Sequence, residues 1–270
     1  MNVRSMWRYP VKSMAGEELS SAQVTYRGLL GDRAYALVDK ASNRVATVRT
    51  WGASLLNYHA TFLTEPSPDA APPPVRITSP DGIEVDDADR RLSAIFGRNL
   101  AVMASAPEGL RIEVPAGTLG GKHEKTTEVP VAGGAPAGTF FDYGSVHLIA
   151  TSTLDHLQKL YLSGRFDTRR FRPNFVIEME GEPFVENAWA GRTLALGDQV
   201  VLKGSIPCPR CVNTILPQGD LPHDAGILRT LAQHNRLDMG DFGKLPCAGV
   251  YAEVVQTGTV SRGDSLRLMD

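Results

Sequence analysis

Turn-forming residues cut this chain into short lengths, and few of those lengths suit a helix. "AYALVD" (34–39) and "YHATFLT" (58–64) are rich in apolar, aromatic and Thr residues, which favour a pleated backbone. "SPDGIEV" (79–85) sets a Pro-Asp-Gly turn between two strand-like runs. Further on, "FRPNFVIEM" reads as a strand with Pro173 near its start. "RTLALGDQVVLKG" reads as two short strands about a Gly-Asp turn, and "AGVYAEVVQTGTVSRGDSLRLM" as strand, turn, strand. Three helices are expected. In "DDADRRLSAIFGR" acidic residues lead, and Leu92, Ile95 and Phe96 share a face. In "VHLIATSTLDHLQKLY" a short strand leads to Ser152 or Thr153 as N-cap, with Leu154, Leu157 and Leu160 or Tyr161 at helical spacing. The third is the amphipathic "DAGILRTLAQHNR". Many short strands with few helices imply a mixed, β-rich fold of barrel-like architecture with attached helices.

A chain of 270 residues suits two small domains or one elaborated β-rich domain. The composition shifts at "PAGTLGGKHEKTTEVPVAGGAPAGTFFDYG", which is rich in Gly and Pro and has little periodicity. The expected organisation is a barrel-like portion over 1–104, a junction or surface excursion over 105–140, and a second barrel-like portion with attached helices over 141–270. A formal net charge of −2 and the lack of a long charge run speak against nucleic acid and membrane surfaces as partners. No apolar stretch approaches the roughly 18–20 residues that cross a bilayer. "MNVRSMWRYPVKS" lacks the apolar core of a signal peptide. Three cysteines, two of them close together, do not form a disulfide framework, so a reducing cytoplasm is the expected setting.

The two close cysteines, Cys208 and Cys211, lie in "IPCPRCVNTILP". Zinc normally takes four ligands, and no second close pair accompanies this one. A thioredoxin-like switch wants its C-x-x-C at a strand-to-helix turn, whereas strand-like "VNTIL" follows here. A persulfide carrier, a mount for a heavier metal, and two inert buried thiols remain open. Arg210 favours the first two, because a neighbouring cation stabilises the thiolate that attacks sulfur or ligates metal. With residues 207–213 extended, side chains alternate and Cys208 and Cys211 point to opposite faces. Cations in turn-rich contexts form a second group: Lys12 beside Ser13 in "YPVKSMAGEEL", Arg33 in "GLLGDRAYALVD", Arg49 in "ATVRTWG", and Arg169, Arg170 and Arg172 ahead of Asn174 in "TRRFRPNFVIE". Each alone reads as a surface charge or ion-pair partner. Together they suit an anion site, since Arg offers a fork to phosphate and Lys a point charge. Asp32, Asp142 and Asp264 read as turn or orienting residues.

The ordered set "YPVKSMAGEEL", "RGLLGDRAYALVD", "TVR", "RFRPNFVIE", "WAGRTLALGD" and "PCPRCVNTILP" resembles the MOSC family, named for the C-terminal domain of molybdenum-cofactor sulfurase. It is similar to the two-part members that begin with an N-terminal β-barrel domain, a group with amidoxime-reducing enzymes in it. The resemblance implies a molybdopterin-type molybdenum cofactor bound between the halves. It implies that Cys211 supplies the thiolate on molybdenum. It implies that Lys12, Ser13, Arg33, Arg49, Arg172 and Asn174 hold the pterin and phosphate, with Arg210 completing the family's Arg-Cys pair. The implied activity is reduction of an N-oxygenated small molecule. Electrons would come from a separate ferredoxin-, flavodoxin- or cytochrome-type protein, because no iron–sulfur cysteine spacing is present. A persulfide carrier and a cofactor-binding domain without a substrate are the competing implications. Two departures stand out: "TVRTWGASLL" lacks the proline that commonly follows the T-x-R arginine, and Asn213 stands where many members pair threonines.

Overall fold

The computed structural model describes residues 1–51, 53–106, 108–115, 126–131 and 139–269, with backbone alone at Arg49, Thr50, Val114, Pro115, Thr126 and Thr127. Its largest unit is a nine-stranded sheet that the two ends of the chain build together. The path runs from Leu266–Met269 through Thr193–Leu196, Val200–Pro209, Lys244–Gln256, Val146–Ala150 and Phe175–Glu178 to Asn2–Arg8 and Glu17–Leu19. Arg236–Asp238 pairs with Lys244–Gln256 off this path. Pairings are antiparallel except between Val146–Ala150 and Phe175–Glu178, which the helix Thr151–Leu160 connects, as a parallel crossover requires. The path curls back toward its start. Asn2 bridges to Ser265, and the Leu266 N–H donates to the Met1 carbonyl at 2.8 Å. Inside lies a core that includes Val3, Met6, Leu148, Phe175, Leu202 and Trp189.

First-half strands therefore pair with second-half strands. Asn2–Arg8 binds Phe175–Glu178, and Ser21–Thr25 binds Gly258–Ser261. Gly28–Leu29 pairs with Ser21–Thr25, and the other first-half strands form a five-stranded sheet and the hairpin His59–Phe62/Val75–Thr78 around a second core with Met14, Leu37, Leu55 and Leu92. Within 105–140, the described residues Arg111–Pro115 and Thr126–Pro130 pair antiparallel and join the five-stranded sheet beside Arg44–Val45. The strand-rich, mixed character expected from the sequence is present, with helices on the outside.

Local expectations fare unevenly. The helix Ala88–Phe96 buries Leu92 and packs Phe96 against the second core, but Ile95 is 57% exposed, so its apolar face is narrower than the spacing suggests. Neither Ser152 nor Thr153 caps a helix. The strand Val146–Ala150 runs straight into the helix, whose N-cap is Ala150. Thr153 Oγ1 donates instead to Glu186 at 2.8 Å and Thr151 Oγ1 to the Met179 carbonyl, while Ser152 Oγ is buried with no hydrogen-bond partner among the described residues. The closing segment makes three strands rather than two. After Cys211, "VNT" is a single tight helical turn and not a strand.

Candidate active site

Lys12, Ser13, Arg33, Arg172, Arg210 and Cys211 line one cleft of about 250 Å³, and Asn174 lies in its wall. They come from four separate segments. Lys12 and Ser13 follow the first strand, on a loop held by the Lys12 N–H donating to the Tyr35 carbonyl at 2.8 Å. Arg33 follows Gly31 and Asp32; a Cβ at Gly31 would lie 2.6 Å from the Phe62 ring, and its φ of 83° favours glycine. Arg172 caps the short helix Thr168–Phe171. Arg210 and Cys211 leave the end of the strand Val200–Pro209. Arg49 lies in the helix Val48–Trp51, and its side chain is outside the described part of the structure.

Three of these residues are held in left-handed backbone: Ser13 at φ 68°, Arg33 at 47° and Arg172 at 51°. Such a conformation costs a residue with a Cβ about 1–2 kcal/mol, and strain of this kind gathers at functional sites. Hydrogen bonds offset it. The Arg33 N–H donates to the Tyr9 carbonyl at 2.8 Å, and the Arg172 N–H to Thr168 at 3.0 Å.

Beneath the cleft, Asp32 acts as a hub. Its carboxylate accepts from the Tyr9 N–H at 2.8 Å, from Asn174 Nδ2 at 2.8 Å and from Arg33 Nη1. Asn174 is spent on the same framework: Nδ2 also reaches the Trp7 carbonyl, and Oδ1 accepts from the His147 N–H at 3.0 Å. The Asn174 side chain thus ties strands together under the cleft. Lys12 Nζ donates to Asp142 at 2.6 Å and to the Phe140 carbonyl at 2.7 Å.

The two guanidiniums differ. Burial opposes the charge on Arg33, but the Asp32 carboxylate and Tyr9 outweigh it and hold Arg33 above its ordinary pKa. Arg172 is pushed down to about 10, first by burial and then by the charge of Arg33. Among the described residues its guanidinium makes one hydrogen bond, from Nη1 to the Met14 carbonyl at 2.7 Å, and no ion pair. A half-buried cation under like-charge stress, with no carboxylate paired to it among the described residues, is a group that an anion would stabilise.

At the sulfur end, Cys208 is fully buried, while Cys211 is half-buried and lines the cleft. Arg210 Nη1 donates to Cys208 Sγ at 2.8 Å and Nη2 to the Phe171 carbonyl at 2.7 Å, and its Nε is buried without a partner among the described residues. The two thiols therefore serve different surroundings, although residues 207–213 are not one extended run: the strand ends at Pro209 and a helical turn begins at Val212. Sequence reasoning passed over several neighbours. His147 lies in the wall, its ring near the Ala248 carbonyl at 3.3 Å, its pKa lowered to about 3 by burial and by the charge of Arg210. The Tyr251 ring packs beside it at a tilt of 51°, with centroids 5.6 Å apart. Tyr9 lies between strand and "PVKS" and touches both guanidiniums. His147 and Tyr251 are lone residues in strands and carry no motif, and Tyr9 opens "YPVKS" with no role marked there, so only topology reveals these three.

Residues 137–267 match the MOSC domain family, and residues 1–53 match the MOSC N-terminal beta barrel domain. The chain carries a MOSC domain. Mitochondrial amidoxime-reducing component 1 of Mus musculus is 25% identical over 293 residues, spanning 99% of this chain and 82% of that protein. Among solved structures, the YUAD protein from Bacillus subtilis aligns over 98% of this chain and 93% of its own, with 10% identity and a TM-score of 0.46. YiiM from Geobacillus stearothermophilus aligns over 47% and 55%, with 19% identity and a TM-score of 0.32. MOSC domains are associated with molybdenum-cofactor binding. Among the described residues no group of three or more His, Cys, Asp or Glu side chains could hold a bare metal ion, and no helix is long and apolar enough to cross a membrane.

Proposed function

We propose that this MOSC protein is a molybdenum-cofactor-binding oxidoreductase that reduces N-oxygenated small molecules, such as N-hydroxylated amidines or bases. The observation that carries the reading is the convergence, in one cleft, of a half-buried thiol with four cationic side chains from distant segments. The donor set fits the group. A single soft thiolate suits a metal that brings its own sulfur ligands, and forked cations suit a terminal phosphate. Cys211 would ligate the metal. Arg172, Arg33, Lys12 and Ser13 would take the phosphate and pterin, and Arg49 is assigned there by its motif alone. Asn174 and Asp32 act by position, because their polar atoms are already bonded within the framework.

Bound there, the cofactor supplies the two-electron chemistry by which an N–O bond is cleaved, with two protons taken up and water released. The chain's part is orientation and charge. His147 stays neutral above its depressed pKa, and so adds no further positive charge beside Arg210. Electrons come from a separate electron-transfer protein.

The test is protein made in a host that synthesises the cofactor. We expect about one molybdenum per chain and turnover of benzamidoxime to benzamidine with reduced methyl viologen. Metal-free protein that releases sulfur to cyanide would instead establish a persulfide carrier. Molybdenum-loaded protein that reduces no N-hydroxylated compound would leave a cofactor-binding protein without this activity.

A further inference from the structure

We propose that Tyr9 is a positioning residue that holds Arg33 and Arg172 side by side as a two-guanidinium site for a phosphate monoester. The proposal deepens the reading above and rests on it only for the place of the ligand's phosphate. The Arg33 Cζ lies 4.4 Å from the centroid of the Tyr9 ring and the Arg172 Cζ 4.2 Å from the same centroid. The charge of Arg33 bears on Arg172, and the electron-rich face of an aromatic ring offsets part of that repulsion by attracting each cation. A second tie acts between the arginines, from Arg33 Nη2 to the Arg172 carbonyl at 3.3 Å.

The ring itself is fixed from every side. Tyr9 is 2% exposed. Its N–H donates to Asp32 and its carbonyl accepts from the Arg33 N–H, each at 2.8 Å. Its hydroxyl donates to the Pro173 carbonyl at 3.2 Å, one residue from Arg172. Gly16 leaves room for it: a Cβ there would lie 2.6 Å from ring Cδ1 and 2.2 Å from the Arg8 carbonyl oxygen. One side chain thus links the "YPVKS", "GDR" and "RPN" segments, none of which names it as a binding residue.

The ligand class follows from the donors. Beyond their bonds to Asp32, the Arg172 carbonyl and the Met14 carbonyl, the two guanidiniums keep further N–H groups, and donors on two separate side chains call for an acceptor with at least three terminal oxygens. A phosphate monoester has them, whereas the two oxygens of a carboxylate fill a single fork.

The experiment uses the full chain free of molybdenum and titrates it with inorganic phosphate, followed by calorimetry and by the side-chain resonances of labelled arginine. Benzoate serves as the carboxylate control. The expected result is phosphate binding by the unaltered protein, tighter than benzoate. Tyr9→Phe should stay within about twofold, since the ring remains. Tyr9→Leu and Arg172→Gln should each weaken binding by about tenfold or more. The ring-current shifts of Arg33 and Arg172 should survive in Tyr9→Phe and vanish in Tyr9→Leu. If Tyr9→Leu does not fold, Tyr9→Met, an unbranched and adaptable side chain without a ring, takes its place. Equal binding by the ring-less variant overturns the proposal. So does a Tyr9→Phe protein as weak as Tyr9→Leu, and so does an unaltered protein that binds no phosphate. Phosphate binding with this pattern, in a protein that takes up no molybdenum, would defeat the proposed function and leave this inference standing.

Discussion

Replacing Asp32 by Ala should cost more than any other single change at the cleft, and the structure says why. The carboxylate is buried and accepts from three donors at once: the Tyr9 N–H and Asn174 Nδ2, both at 2.8 Å, and the Arg33 guanidinium. Alanine leaves two neutral donors unpaired, each costing about 1–3 kcal/mol. It also strands one side of a buried ion pair, which costs about 3–5 kcal/mol. The losses share one void and one set of relaxations, so they do not sum. About 4–6 kcal/mol is the expected total. Against a stability of about 5–15 kcal/mol for a folded domain, that is a large fraction. Asp32→Asn keeps one acceptor oxygen while losing the charge, and about 2–4 kcal/mol is expected for it. Urea unfolding followed by tryptophan fluorescence reads both, as midpoint shifts at unchanged denaturant slope. A loss below about 1 kcal/mol for Asp32→Ala would refute the account of Asp32 as the hub. It would mean that water or Asn174 satisfies these donors as well as the carboxylate does.

Three further outcomes are expected. Cys211→Ser should abolish molybdenum retention and N-hydroxyl reduction, while Cys208→Ser, which still offers Arg210 an acceptor, should keep most of both; equal loss in the two would break the assignment. In the native, metal-free protein a thiol reagent should modify Cys211 alone within minutes, because Cys208 and Cys247 are fully buried and burial pushes the Cys247 thiol up to about 12; fast modification of a second thiol counts against this. His147 has a folded pKa of about 3 against an ordinary value of 6.5, so the unfolded chain binds the extra proton first as pH falls. Its contribution to stability is therefore intact above about pH 6.5 and is lost at up to about 1.4 kcal/mol per pH unit between there and its folded pKa. His147→Gln should flatten that part of the pH–stability curve, and an unchanged slope would show that other groups set it.

Fold class was readable because alternation and turn chemistry are local. "RTLALGDQVVLKG" and "DAGILRTLAQHNR" became the hairpin and helix that their patterns describe. Pairing partners were not readable. Nothing in "NVRSMWR" says that it joins a strand more than 160 residues away, and this pairing carries Tyr9 and Lys12 to the same place as Arg172. Capping failed at Thr153 for a tertiary reason: Glu186 lies within reach, and a buried hydroxyl takes the partner that packing supplies. At Ser152 it failed because the helix already begins at Thr151. "VNT" misread as strand has a similar cause. Thr214 N–H and Oγ1 both return to the Cys211 carbonyl, closing a turn that residue type alone does not mark.

The cleft residues were legible as a resemblance and illegible as physics, and the backbone explains the gap. Left-handed conformation is legible at glycine, where sequence and geometry agree. At Ser13, Arg33 and Arg172 it is imposed against residue preference. A segment adopts it when the surroundings over-determine it, and each of these three has that support. Ser13 lies inside the turn closed by Met14 N–H onto the Val11 carbonyl, Arg33 is tied through Asp32 and the Tyr9 carbonyl, and Arg172 ends a helix capped by Asp167. Strain of about 1–2 kcal/mol at each is held before any ligand arrives. A site prepared in this way loses little further backbone freedom on binding, so more of each charged contact is left to affinity. The framework beneath it, Asp32 and Asn174 with every polar atom bonded, is therefore as much a part of the site as the cations that face the cleft.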